Sequence, residues 1–484
     1  MVIHGNPSMR WLPRLLATVS ISIIFSSSLS LFCLVYFYDK PREAWLESLP
    51  RPSGSSDSKN HTAPGSDWLL PQTSEPPFGS HLDSWDTSYY VKGEPTELFR
   101  DNLRNDTSYI TSWCNAGFTN EFMEYINLIY LSILAERVPI MPPFAPHDHI
   151  SPEAGVIPFG EIFNLTHLRS VLRMPILEWS DIKTLPITSF PQVYSTQSVE
   201  PLGCWSTRPE ETNDPVRNDN LMRHLGLDPS YTRMPDLIRQ SANNRGENHI
   251  VFAKVAAAVH PGGPLVKQDD LPIMAESREG LRLKPDTQLT CIDQTYYMTS
   301  GAEYYEWRFA WSPAWRFVGR HARFTTTVVD RAEGYLRRTF QLGPTEEMPK
   351  FIAVHMRHGD FIDNCYFAGH CLSTVEPFAT KIERMKERLL EERGISVSHV
   401  IVASDETDRS FWEDISSRGW YRIDHDAERT KERFGEWWPP LVDIVVQSLA
   451  TGFVGTEDST FSLVSGRRVA DWNNGLYIMV DGRE

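Results

Sequence analysis

The sequence predicts an α/β fold built on a parallel, doubly wound sheet, preceded by an N-terminal transmembrane helix and a flexible stem. Three observations carry that expectation. From residue 351 to the C-terminus, strand-like and helix-like segments alternate, the pattern of βαβ units. Clusters of His, Arg, Asp, Ser and Thr stand where those strands end. A charge-free run at residues 15–38 is followed by a Pro-, Ser- and Gly-rich stretch at 39–85.

The run "LLATVSISIIFSSSLSLFCLVYFY" at 15–38 is long enough to cross a hydrocarbon layer of roughly 30 Å. Arg10 and Arg14 precede it with no acid, whereas Asp39, Lys40, Arg42 and Glu43 follow. The basic flank puts residues 1–14 in the cytosol and the body of the chain in a lumen, as a single-pass type II protein of the Golgi or endoplasmic reticulum membrane. A cleaved signal peptide would have a shorter apolar region and small residues at its cut site. Residues 39–85 show no hydrophobic period and read as a stem, so folding is expected to begin near Trp85 or Tyr89.

A chain of 484 residues is too long for one ordinary core, and two folded units are expected, at 86–345 and 346–484. A net charge of -16 offers no broad basic surface for nucleic acid. Sequons at Asn60, Asn105 and Asn164 fit a lumenal body. Of the six cysteines, Cys33 lies in the apolar run. Cys365 and Cys371, in "NCYFAGHC", are spaced to close a small loop, with a metal site using His370 as the alternative. Cys204 and Cys291 are the expected second pair, which leaves Cys114 over.

The first legible unit is "NAGFTNEFMEYINLIYLSILAERVPIMPP". Gly117 is expected to form a tight turn. From Asn120 the apolar residues Phe122, Ile126, Ile129 and Ile133 recur at helical spacing, and a strand starts at Val138. A turn that opens a helix presents free N–H groups to whatever lies above it, although an ordinary core helix reads the same way. Residues 145–345 are loop-rich and studded with Trp, as in "EYYEWRFAWSPAWRFVGRH", where they are placed to shape an acceptor site.

The C-terminal part parses cleanly. "FIAVHM" (351–356), "HVIVAS" (399–404) and "GFVGT" (452–456) read as buried strands, and "WYRID" (420–424) as a short one. A helix from Val375, starting after Ser373 and Thr374, carries Phe378, Ile382, Met385 and Leu389 on one face and stops at Gly394. Further helices are expected at 408–418, 440–450 and 459–472.

Ligands of such sheets bind beyond the carboxyl ends of the strands. His355, Arg357, His358 and Asp360 emerge there, as do Asp405 and the run Thr456 to Thr460. Arg357 is placed to fork onto a diphosphate; its plainer role is a strut paired with Asp360 or Asp405. Ser459, Thr460 and the N–H of Phe461 form a helix start suited to anions. Asp405 is suited to a ribose or an amino-bearing base. Asp443, inside an apolar helix, either touches ligand or is satisfied locally. "DHD" at 424–426 and "HDH" at 147–149 look like metal motifs, but such short patterns are common in acidic chains and no metal ligand is assigned.

"VHMRHGDF", "VIVASDETD", "LVDIVVQSLATGFVGT" and "STFSLVSGRR", with the early glycine unit, resemble the GDP-fucose protein O-fucosyltransferases and their α1,6-fucosyltransferase relatives. The resemblance covers the two ends of the body and not the middle. It implies a GT-B-like architecture of two Rossmann-like domains, with GDP-fucose mainly on the second. It also implies inverting transfer of fucose to a protein or glycan acceptor, with no bound metal and no cofactor beyond the donor. By position, Arg357 would contact the diphosphate and help it leave. Gly117 would lie beside it, His355, Asp405 and Asp443 would touch guanosine, and Ser459, Thr460 and Phe461 would hold the phosphates.

The chain departs from the pattern at one point. Some family members carry a glutamate before Gly-Phe-Asn as the base; here that position is Ala116, and Asn120 comes one residue late because Thr119 intervenes. Other branches use an asparagine, so Asn120 is the matching candidate, with Asp360, Asp363 and Glu121, a base supplied by the acceptor, or no base at all as alternatives. A catalytically inactive lumenal binding module and a transferase of another nucleotide sugar are the competing readings.

Overall fold

Two large sheets and one two-stranded sheet organise the described residues. The computed structural model describes residues 85–147, 149–186, 199–212, 214–241, 246–264, 266, 271–359 and 374–481, which all belong to one compact unit. The expected anchor at 15–38, the stem and the pair Cys365 and Cys371 lie outside them. Among the described residues no helix is long and apolar enough to cross a membrane.

In chain order the elements used below are strand β1 (Tyr109–Ser112), helix α1 (Phe118–Leu134), β2 (Val138–Met141), β3 (Leu177–Glu178), β4 (Glu200–Ser206), β5 (Leu227–Arg233), β6 (Ile250–Val251), β7 (Ile273–Ala275), β8 (Leu289–Ile292) and β9 (Met298–Thr299). They continue with β10 (Phe351–Met356), α2 (Glu376–Arg393), β11 (His399–Ser404), α3 (Trp438–Leu449), β12 (Gly452–Thr456), α4 (Thr460–Asn473) and β13 (Leu476–Val480). The first sheet runs β3-β2-β1-β8-β4-β5-β7 and is parallel except for the antiparallel β5–β7 pair. The second runs β11-β10-β12-β13 and is parallel throughout.

The second sheet follows the sequence pattern closely. All six residues of β10 and all five of β12 are buried, as a strand covered on both faces requires. Helix α2 buries Phe378, Ile382, Met385 and Leu389 and ends at Gly394, whose φ of 67° suits a residue without a Cβ. "WYRID" shortens to a single parallel bridge between Tyr421 and Ile401. The closing strand β13 was not expected from the sequence.

The first half departs more. Helix α1 starts at Phe118, one turn's edge before Asn120, and Gly117 has φ -61°, so its turn does not use glycine's left-handed freedom. Ile133 is 42% exposed, while Glu121, Glu124 and Asn127 on the supposedly polar faces are fully buried. Neighbouring chain covers the helix all round: Ala145 N–H donates to Glu121, Thr295 Oγ1 donates to Glu124, and Asn127 donates to Thr295 O. The middle supplies β4 and β5, hidden from pattern reading by Glu200, Pro201, Asp228 and Pro229. Glu200 is neutralised in the interior by Lys183 at 2.8 Å. Cys204 on β4 is bonded to Cys291 on β8, the expected pairing, and Cys114 is free and buried.

One apolar cluster runs from α1 into α3 and α4, so the two sheets share a core. Arg468 on α4 is its oddest member. Fully buried, its guanidinium lies over the rings of Phe122, Phe324 and Trp472 at 4.6, 4.7 and 5.4 Å, and none of its nitrogens has a hydrogen-bond partner among the described residues. Burial pulls its pKa down to about 9.

Candidate active site

The parallel register brings the carboxyl ends of three strands level. Met356 of β10 stands opposite Ser404 of β11, and His355 opposite Gly455 of β12. Arg357 therefore leaves β10 beside Thr456: its backbone N–H donates to Thr456 Oγ1 at 2.9 Å, and that hydroxyl donates to His355 O at 3.1 Å. The guanidinium lies 2.8 Å from Asp405 Oδ2 and donates from Nη2 to His149 Nε2 at 2.8 Å. Accepting from an arginine requires the lone pair of a neutral His149 ring. The strut role, with Asp405 as partner, is thus the one seen; Arg357 and Asp405 nonetheless keep 20% and 19% of their side chains open to solvent.

Asp405 also accepts from His358 N–H at 2.8 Å, and His358 Nδ1–H donates to Glu406 at 2.9 Å. The Asp408 and Thr407 N–H groups add to that contact, and the Asp408 N–H, then His358, hold the Glu406 carboxyl below its usual range. His355 is buried, with Nδ1 2.8 Å from Ser462 Oγ and its ring against Phe461 at 4.7 Å between centroids. Burial, reinforced by the Arg357 charge, pulls its pKa down to about 3, so the ring is neutral at physiological pH.

The β12–α4 turn completes the strand-end group. Ser459 caps α4, its hydroxyl accepting from Ser462 N–H at 3.4 Å, and Ser462 Oγ in turn accepts from Thr456 N–H at 3.0 Å. Gly455 permits this approach: a Cβ there would meet Phe453 at 2.6 Å and Ser462 Cβ at 2.7 Å. Asp443, on α3, stands apart, accepting from His425 Nε2–H at 3.1 Å and facing a crevice of ≈ 200 Å³ beside Ala353 and Val402. Burial works against a charge on His425, but Asp443, then Asp424 and Asp426, outweigh it and raise its pKa. Among the described residues no group of three or more His, Cys, Asp or Glu is placed to hold a metal ion.

Near the early loop, Asn120 is partly exposed, and its Oδ1 is buried without a hydrogen-bond partner among the described residues. Glu121 is sealed in the core, where burial pushes its pKa well up. Asp360 and Asp363 lie outside the described residues.

Ser459 and Thr460 line a cavity of ≈ 820 Å³, with Tyr296, Tyr305, Trp307 and Arg308 on its other walls. Arg308 pairs with Asp458 on the β12–α4 turn. Arg357 touches this cavity through Thr456 rather than with its guanidinium. Sequence reasoning noted the aromatic density at 304–315 but named none of these wall residues, nor His149 as the partner of Arg357. Aromatic density alone was the available signal.

Residues 109–470 match the family model described as GDP-fucose protein O-fucosyltransferase. The chain belongs to the GDP-fucose protein O-fucosyltransferase family. It is thereby a glycosyltransferase, and the family relation supports fucose transfer from GDP-fucose. Among solved structures, POFUT1 in complex with GDP-fucose is 14% identical, the alignment covering 78% of this chain and 98% of that one, with a TM-score of 0.48. The fucosyltransferase NodZ from Bradyrhizobium is 11% identical over 75% of this chain and 93% of that one, with a TM-score of 0.36. No curated protein sequence matches the chain.

Proposed function

We propose that this O-fucosyltransferase family member moves fucose from GDP-fucose to a hydroxyl of a protein or glycan acceptor by direct, inverting displacement on a GT-B-like scaffold. The observation that supports the reading is that Arg357 and the β12–α4 turn leave adjacent strands at the carboxyl edge of one parallel sheet, with the Arg357 N–H bonded to Thr456. A diphosphate there exchanges with Asp405 for the guanidinium and meets the free N–H groups that open α4. Charge building on departing GDP is then stabilised by a fixed cation, the role a divalent ion plays elsewhere, and the transfer is metal-independent. His355, held neutral by burial, orients Ser462 and Phe461 beneath the phosphate site.

The proposed setting is lumenal: a type II protein of the Golgi or endoplasmic reticulum, held by residues 15–38. The Cys204–Cys291 bond fits an oxidising compartment, and Asn105, exposed, fits a glycosylated surface. Asn164 is less available, because its side chain caps a helix by accepting from His167 N–H.

The test is a titration of full-length protein with GDP-fucose, GDP-mannose and UDP-sugars. Tightest binding and turnover are expected with GDP-fucose; preference for a UDP-sugar overturns the donor assignment. Binding of GDP without turnover across an acceptor panel would instead favour a binding module.

A further inference from the structure

Displacement at the fucose carbon calls for a base near the incoming hydroxyl, and Ala116 supplies none. A second imidazole–carboxylate pair, His249 and Glu247, lies outside the strand-end group, with its imidazole in the wall of the ≈ 820 Å³ cavity. His249, just before β6, lines that cavity together with Ser459 and Thr460. Its backbone N–H donates to Glu247 Oε1 at 3.0 Å, and its ring Nδ1 bonds the same carboxylate. A carboxylate only accepts, so Nδ1 carries a proton, and in the neutral tautomer Nε2 keeps its lone pair. His249 is 4% exposed, and its ring is boxed by Tyr297, Tyr304 and Tyr305, with centroids at 5.5, 4.9 and 4.2 Å. Nε2 has no hydrogen-bond partner among the described residues. A buried lone pair left unpaired is costly, and sites that tolerate it commonly reserve it for a ligand.

Resting on the donor reading above, we propose that His249 is the general base of the transfer and that Glu247 is its positioning residue. The acceptor hydroxyl gives its proton to His249 Nε2 while its oxygen bonds the anomeric carbon of fucose. The bond from that carbon to the diphosphate oxygen breaks, and GDP leaves with the electron pair. Glu247 fixes the tautomer and stabilises the imidazolium, which later returns its proton to water. Among the described residues, the charged and titratable groups packed against the ring are Glu247 and the three tyrosines. Farther round the cavity wall, Glu306 is held by Ser300, and Arg308 pairs with Asp458. The plainer alternative, a histidine merely packed among tyrosines, requires nothing of Nε2.

The experiment uses full-length protein and GDP-fucose with two simple acceptors: water, which must lose a proton, and azide ion, which need not. His249→Ala should lower GDP-fucose hydrolysis by about 10²–10⁴-fold. Azide should restore turnover as fucosyl azide, and GDP binding by calorimetry should be unchanged. Glu247→Gln should lower kcat with little change in KM and displace the acid limb of the kcat–pH profile; that limb should vanish in His249→Gln. Wild-type hydrolysis rates in His249→Ala, or an equal loss with water and azide, overturn the assignment while leaving the donor reading intact. A wild-type protein that neither binds nor turns over GDP-fucose overturns the donor reading, and this assignment with it.

Discussion

The Arg357 guanidinium lies 2.8 Å from the Asp405 carboxylate, across the ends of adjacent parallel strands. The pair is partly open to solvent, so it is screened and worth little as a staple. Its consequence is for binding: Asp405 competes with any diphosphate for the same guanidinium. Asp405→Asn keeps an acceptor for His358 N–H and removes the competing charge. GDP affinity, read by calorimetry, should rise by about 3–10-fold. Weaker binding would instead assign Asp405 to the nucleoside.

Arg357→Ala should cut turnover of GDP-fucose by about 10³-fold or more, as loss of a positioned transition-state cation does, with the thermal transition nearly unchanged. Unaltered turnover would remove Arg357 from the chemistry. Arg357→Lys should recover only part of the rate, because an ammonium cannot fork onto two oxygens.

Gly455→Ala puts a methyl group 2.7 Å from Ser462 Cβ, against the residue that ties His355 to Thr456. Overpacking should cost about 1–3 kcal/mol of stability by denaturant unfolding. Weakened GDP binding should accompany it, since the α4 start must shift. A neutral substitution would show that the close approach is not rigid.

Glu124 is fully buried, and burial raises its pKa from the ordinary 4.5 to about 8 against the bonds from Thr295. Below about 4.5 both folded and unfolded chains carry the proton. Between 4.5 and 8 only the folded chain does, so its stability falls as pH rises through that window and levels off above it. Glu124→Gln keeps the Oε1 acceptor and should flatten this fall, measured as the unfolding midpoint from pH 5 to 8. An unchanged slope would place the ionisation elsewhere, with Glu121 the next candidate.

Reduction of Cys204–Cys291 releases a chain separation of 87 residues. Loop-closure entropy predicts a loss of about 4–5 kcal/mol. Cys204→Ser should lower the unfolding midpoint in non-reducing buffer to that of the reduced wild type.

The second sheet was readable because βαβ units repeat short, strongly periodic segments between turn residues, and local pattern and global burial agree. Ile352 and Val354 in β10 and the Phe378-to-Leu389 stripe in α2 needed no partner to be recognised. The first sheet hid its strands because β4 and β5 contain Glu200 and Asp228, tolerable inside only once Lys183 and the N–H groups of Arg278 and Glu279 reach them across the fold. Helix α1 misled for the same reason: its buried glutamates accept hydrogen bonds from Ala145 and Thr295, which no window of sequence joins to it.

By itself the sequence determined three of the four strands of the second sheet, the residues that gather at their carboxyl ends and their family character, because strand periodicity and strand-end chemistry are written locally. Tertiary structure alone decided that Arg357 rests on Asp405 and His149, and that His249 shares a cavity with Ser459. Those pairings join segments far apart in the chain, and long-range contacts of that kind are set by packing, which no local pattern encodes.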